Sequence, residues 1–209
     1  MTIELLNIDC MEYMATCEDN AFDLAIVDPP YGIKRSGQTK TTCKNPKHNR
    51  KQYKQKDWDN ERPPAEYWEQ LFRVSKHQIV WGANYFTDYL PPSMGWIFWD
   101  KGQDLSMSDG ELAYTSFEKA LRRVIKNRGA IQQDGAIHPT QKPIYLYRWC
   151  LQKYAEKGMK ILDTHGGSHS NAIACDLEGF DLDIIEIDKE YFDDGLNAFD
   201  MHKRQLKLF

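Results

Sequence analysis

The chain has 209 residues, 41% of them hydrophobic and 28% charged, with 13 Gly and 9 Pro, which excludes collagen, a coiled coil and wholesale disorder and fits one domain over 1–209. Its longest apolar runs fall far short of the ~18 residues of a membrane span, and Glu4 and Asp9 lie where an export signal carries Lys or Arg before an apolar core, so a soluble, cytoplasmic chain without membrane contact is expected. The net charge of −4 hides a segregation: nine of the 27 Lys and Arg fall between Ile33 and Lys56, where there is no acid, leaving 18 against 31 acids elsewhere, a balance of −13.

In chain order, Leu5, Leu6 and Ile8 open as a short apolar strand, and Phe22 to Val27 is a second, stopped by Asp28-Pro29-Pro30 because proline cannot donate to a sheet ladder. The basic insertion occupies 33–60. Pro63 to Lys76, acidic early and basic late, predicts a helix. Strands are expected at Gln78 to Trp81, Trp96 to Trp99 and Glu111 to Ser116, followed by Lys119, Arg122, Arg123, Lys126 and Arg128 at helical spacing. A helix from Pro143 to about Glu156 precedes a strand at Lys160 to Asp163. A helix over about Asn171 to Leu177, a strand at Asp181 to Ile187 and an amphipathic helix from about Tyr191 to Gln205 complete the chain. About seven strands with interleaved helices argue an α/β sheet, mostly parallel and covered on both faces. Chemistry in such sheets belongs to the loops leaving the carboxyl ends of the strands.

The five cysteines form no CxxC pair, and His165 and His169 flank Gly-Gly-Ser rather than standing on a helix. Reduced thiols and no metal site are the expectation.

Asp163 ends a strand and is followed by Thr164, His165, Gly166, Gly167, Ser168, His169 and Ser170, then by an apolar helix. A strand, a small-residue turn and a helix N-terminus bring backbone N–H groups toward a ligand. The next strand ends in Glu186 and Ile187, 23 residues beyond Asp163 for the acid, where a carboxylate can accept ribose hydroxyl hydrogen bonds. The loop is neither GxGxxG nor GxxxxGK[ST], which disfavours NAD and ATP and leaves S-adenosyl-L-methionine, a cofactor that needs no phosphate cradle.

Asp28-Pro29-Pro30-Tyr31-Gly32 follows its strand directly. The prolines hold carbonyls outward as acceptors while Tyr31 projects an aromatic face. An exocyclic amine would donate to the Asp28 carboxylate and the Pro29 carbonyl while its ring stacks on Tyr31.

These residues resemble the amino-group DNA methyltransferases, whose N6-adenine members carry DPPY, here Asp28, Pro29, Pro30 and Tyr31. His138 to Pro143 is similar to the family's HPTQKP segment, which implies cofactor contact at Lys142, and Asp163 to Ser170 is similar to its DPFxGSGT loop. Glu186 falls at the ribose-binding acid, and Leu5 to Cys10 resembles the strand that brings Asp9 and Cys10 beside the cofactor adenine. The motif order is that of the permuted β-class. The chain departs from the pattern at Thr164-His165, which replaces Pro-Phe, and at His169, which replaces the second glycine. Either the loop takes another path or His169 points away from the ligand.

The resemblance implies a Rossmann-like fold and direct transfer of a methyl group from S-adenosyl-L-methionine to the N6 amine of an adenine flipped from double-stranded DNA. The basic insertion leaves the lip of the catalytic turn, so Lys34, Arg35, Lys40, Arg50 and Lys51 are candidate phosphate contacts. Arg122 and Arg123 join them in a short candidate recognition segment at 118–137. No separate reading domain fits in the length, so recognition falls to these insertions or to a second copy of the chain. Cytosine N4, RNA adenine and a non-catalytic nucleic-acid-binding module are the competing readings.

Overall fold

In the computed structural model, which describes residues 1–34, 56–102, 108–126 and 141–206, the apolar run Phe22–Val27 forms the central strand β2. From Leu24 onward its side chains alternate between two cores, as the period of two along a strand requires. Leu24 and Ile26 face one core, Ala25 and Val27 the other, and all four are fully buried. The first core is closed by α3 (Ile144–Tyr154) and α4 (Ser170–Glu178), with Phe199 of α5 (Lys189–Leu206) packed against it. The second is closed by α1 (Cys10–Thr16) and α2 (Ala65–Val74), which inserts Tyr67, Trp68, Leu71 and Val74. Truncating a buried leucine such as Leu24 to Ala would cost about 2–5 kcal/mol.

The remaining strands are β1 (Ile3–Leu6), β3 (Ser75–Trp81), β4 (Trp96–Asp100), β5 (Gly110–Thr115), β6 (Arg122–Ile125), β7 (Lys160–Asp163) and β8 (Asp181–Ile185). They form one sheet in the order β1-β8-β7-β2-β3-β5-β4-β6. Every pairing is parallel except those of β5, which runs against both neighbours. The carboxyl ends of the parallel strands and the start of β5 therefore share one edge. There Asp28, Gly82, Lys101, Glu111, Asp163 and Glu186 are gathered, on loops that leave a buried α/β sheet. Among the described residues no helix is long and apolar enough to cross a membrane.

The sheet has eight strands, one more than expected. The addition is β6, and it corrects the helical spacing read into the basic cluster around Arg122 and Arg123. Val124, 3% exposed, inserts into the core beside Trp99, and this burial sets the segment as a strand against β4. Strand alternation then sends Arg122 and Arg123 to opposite faces. A second element absent from the expectation is α1. Its sequence signal is Asp9 three residues before Glu12: the Asp9 carboxylate accepts from the N–H groups of Met11 and Glu12 at 2.7 and 3.2 Å, capping the helix. The helix expected over Pro63 to Lys76 stops at Val74, and β3 follows without a loop. Ser75 makes that junction: its hydroxyl donates to the Leu71 carbonyl at 2.6 Å.

Candidate active site

The loops at this edge enclose a cavity of about 250 Å³. Its wall contains Asp9, Cys10, Asp28, Pro30, Lys142, Thr164, His165, Gly166, Gly167, Ser168, Glu186 and Ile187, each named from sequence, together with Ile8, Trp58, Gln141, Tyr147 and Tyr191, which were not. Asp163 is not on the wall. It is 1% exposed beneath the loop, accepting from the His165 N–H at 3.1 Å and from Asn171 Nδ2 at 3.0 Å. Burial raises its pKa to about 7 against those two bonds. Asp163 thus holds the loop's shape from below.

Above it, Gly166 donates its N–H to the Ile185 carbonyl at 2.7 Å, and a Cβ there would meet the Ile184 side chain at 2.8 Å. Gly167, at φ +50°, donates to Glu186 Oε2 at 2.8 Å, while the other oxygen of Glu186 accepts from the Asp188 N–H at 2.8 Å. Burial raises the Glu186 pKa. Thr164 Oγ1 lies 2.7 Å from the Tyr67 hydroxyl and 2.9 Å from His165 Nδ1. Burial lowers the His165 pKa to about 4, so its ring is neutral at physiological pH.

His169 takes a left-handed conformation at φ 54° as the N-cap of α4. That is the backbone a glycine would adopt, so the loop keeps the glycine path with a histidine on it. Its ring is fully buried against Phe192 and Gly195 of α5 and is not on the cavity wall. Of the two alternatives raised by the sequence, the side chain points away from the ligand space.

The β2 turn presents Asp28 on the wall of the same cavity. Its Oδ2 lies 2.5 Å from Lys142 Nζ, and its Oδ1 accepts from the Tyr31 hydroxyl at 2.6 Å. The turn is anchored by Asp59, 2% exposed, whose Oδ1 accepts from the N–H groups of Tyr31 and Gly32 at 2.9 and 3.0 Å. Asp59 was missed from sequence because it lies at the far end of the basic insertion. The Tyr31 ring does not stand free as expected. It stacks on Tyr85 at 4.9 Å and 14°, and passes so close to Gly82 that a Cβ there would sit 2.1 Å from the ring. Tyr85 is 37% exposed, whereas Trp81, Trp99 and Tyr114 are buried.

Three of the seven nucleic-acid candidates are described. Lys34 is exposed next to the Asp28–Gly32 turn, its N–H bonded to the Asp59 carbonyl at 2.9 Å. Arg123 pairs with Asp100 at 2.7 Å. Arg122 opens β6, at the end of the strand remote from the cavity edge. Arg35, Lys40, Arg50 and Lys51 lie outside the described residues, as do His138, Pro139 and Thr140.

Among the described residues, the wall carries three carboxylates, Asp9, Asp28 and Glu186, against the one ammonium of Lys142. Such a cavity repels phosphate and suits a ligand that brings positive charge and hydroxyl donors. Ile8 and Ile187, 36% and 63% exposed, add an apolar lip at which an aromatic ring can lie. S-adenosyl-L-methionine, with its sulfonium, ammonium, ribose diol and adenine, matches that donor and acceptor set.

No family model matches the chain. The type II methyltransferase M.HpaI of Haemophilus parainfluenzae is 25% identical over 260 aligned positions, covering 99% of this chain and 79% of that protein. The crystal structure of M1.HpyAVI in complex with SAM matches with a TM-score of 0.61 at 17% identity, over 94% of this chain and 99% of that one. The cytosine-N4-specific PvuII DNA methyltransferase matches with a TM-score of 0.62 at 11% identity, over 99% and 93%. The chain is thus similar in sequence, through nearly its whole length, to a type II methyltransferase, and it shares the fold of DNA methyltransferases of solved structure.

Proposed function

We propose that the protein transfers a methyl group from S-adenosyl-L-methionine to the N6 amine of adenine in double-stranded DNA. The observation that carries this reading is the position of Asp28, an aspartate on the wall of an acidic cavity, facing a glycine loop that is tied to Glu186. When bound, the cofactor supplies an electrophilic sulfonium methyl. Glu186 would hold the ribose diol, Ile8 and Ile187 the adenine, and the turn from Thr164 to Ser168 the remainder.

Asp28 and the Pro29 carbonyl would accept the two N–H bonds of the target amine, turning the nitrogen lone pair out of conjugation and toward the methyl. Each carboxylate oxygen has two acceptor directions. Lys142 and the Tyr31 hydroxyl take one apiece, so Asp28 retains acceptors for the amine. As the N–C bond forms and the S–C bond breaks, positive charge grows on the nitrogen, and the carboxylate stabilises it. The amine then sheds one proton to solvent. The stacked pair of Tyr31 and Tyr85 would offset the few kcal/mol needed to unstack the target base. Lys34 and the basic segment after it would hold the phosphates.

Mass spectrometry of nucleosides from DNA and from RNA, each incubated with the protein and labelled cofactor, tests the proposal. N6-methyladenine in DNA is expected, and N4-methylcytosine, or methylation of RNA alone, would overturn it. Asp28→Ala should abolish transfer while leaving cofactor affinity nearly intact.

A further inference from the structure

We infer that Glu111 is a positioning residue for methyl transfer, holding the Lys142 ammonium in place against the Asp28 carboxylate. The inference rests on the proposed activity for its rate readout only.

Lys142 is 4% exposed, and its ammonium lies among three oxygens: Asp28 Oδ2 at 2.5 Å, the Tyr31 hydroxyl, which accepts from it at 3.1 Å, and Glu111 Oε2, with which it forms an ion pair at 3.3 Å. Glu111 reaches this point because β5 is the reversed strand, bringing its start to the edge where the other strands end. Its second oxygen accepts from Lys101 Nζ at 2.7 Å, and Lys101 is 8% exposed at the end of β4. The groups form a row of alternating sign running Lys101, Glu111, Lys142, Asp28. Both positive charges are buried and balanced by two carboxylates, the condition under which burying charge is tolerated.

Burial opposes ionisation of Glu111, yet Lys142 and Lys101 hold its pKa down to about 2. Burial likewise opposes the charge on Lys142, and Asp28 and Glu111 raise its pKa in spite of it. Glu111 is not itself one of the residues that line the cavity. It acts through Lys142, whose bond to Oδ2, with the Tyr31 hydroxyl on Oδ1, orients the Asp28 carboxylate. Without Glu111 the ammonium keeps Asp28 but loses its counter-anchor, and the carboxylate turns with it.

The test compares the wild type with Glu111→Gln, which keeps an acceptor, and with the double variant Glu111→Met, Lys101→Met, which keeps volume and charge balance but removes the anchor. Melting temperature and the dissociation constant for S-adenosyl-L-methionine report on the fold and the cofactor site. Single-turnover methyl transfer to DNA reports on the chemical step, and acetic anhydride labelling read by peptide mass spectrometry reports on Lys142. The double variant should lose about a hundredfold in rate, the scale of a small misplacement of a reacting group, with cofactor affinity within about threefold of wild type. Glu111→Gln should fall between the two. Lys142 should be inert in the wild type and acylated in the double variant. A double variant that transfers at the wild-type rate, or loses rate only in proportion to cofactor affinity, or leaves Lys142 inert, overturns the inference. If the wild type methylates nothing, the proposed function fails, and the labelling result still decides what Glu111 does.

Discussion

A Cβ atom placed on Gly195 would lie 2.5 Å from Cγ and Nδ1 of the His169 ring, so α5 is bare of side chain where that ring rests. The two residues exchange roles. A turn whose φ of 54° favours glycine carries a histidine, and a helix interior that disfavours glycine carries one. The imidazole fills the gap between α4 and α5 and meets Phe192 edge to face at 5.6 Å and 78°. The Thr164–Ser170 loop is thereby pinned to the last helix by a side chain directed away from the cavity.

The pairing predicts a change of sign. Gly195→Ala alone should destabilise the protein by about 1–3 kcal/mol through overpacking against the ring, despite alanine's better helix propensity. In a His169→Gly background the same change should stabilise by about 0.5–1 kcal/mol, since only the propensity remains. Urea unfolding of the four proteins of this cycle measures both numbers. The same sign in both backgrounds would show that the ring does not rest on Gly195.

His169 also makes stability depend on pH. Burial lowers its folded pKa to about 4 from an ordinary 6.5. The unfolded chain takes up a proton as pH falls through 6.5 while the folded protein does not, so the stabilisation is complete above that pH and is lost toward 4. At 0% exposure the loss is up to about 3 kcal/mol. Asp163, with a raised pKa, works in the opposite sense over much of the same range. The contribution of His169 is therefore measured as the wild-type curve minus that of His169→Gly, and that difference should slope downward only below about neutral pH.

The parts of the site legible in the sequence are those where one strand end meets one short loop. Asp28 and Glu186 each follow an apolar run directly, and Gly166 and Gly167 lie a few residues beyond one, so both their edge of the sheet and their chemistry could be read. Three other features depend on pairing between distant segments. Glu111 looks like an ordinary strand residue until β5 proves antiparallel. Asp59 is separated from the turn it anchors by the whole basic insertion. Arg122 and Arg123 have helical spacing in the linear pattern, and the burial of Val124 beside β4 decided otherwise. The left-handed turn at His169 had a partial signal in Gly195, an interior glycine in an amphipathic helix.

Gly82 is a second place where the absence of a side chain matters. Its φ is +65°, and a Cβ would lie 2.1 Å from the Tyr31 ring. Since the hydroxyl of that ring holds Asp28, Gly82→Ala should displace both. We expect loss of about a hundredfold or more in methyl transfer, with cofactor affinity retained because Gly82 is not on the cavity wall. Wild-type transfer by this variant would mean that the Tyr31 position does not matter to the chemistry.

Glu186 separates cofactor binding from catalysis. Both of its oxygens accept backbone N–H bonds, from Gly167 and Asp188, which orients the carboxylate toward the cavity with acceptor directions unused. A diol bound there donates to a charged acceptor, worth about 1.5–3 kcal/mol per bond. Glu186→Gln should therefore weaken cofactor binding by roughly ten- to a hundredfold in calorimetry, a loss of about 1.4–2.8 kcal/mol, whereas Asp28→Ala should leave it nearly intact. Because burial raises the Glu186 pKa, its protonated form gains population at a higher pH than for an ordinary glutamate. Affinity in the wild type should accordingly fall as the solution is made acidic, and Glu186→Gln should flatten that fall. An equal pH dependence in both proteins would move the ribose contact to another residue.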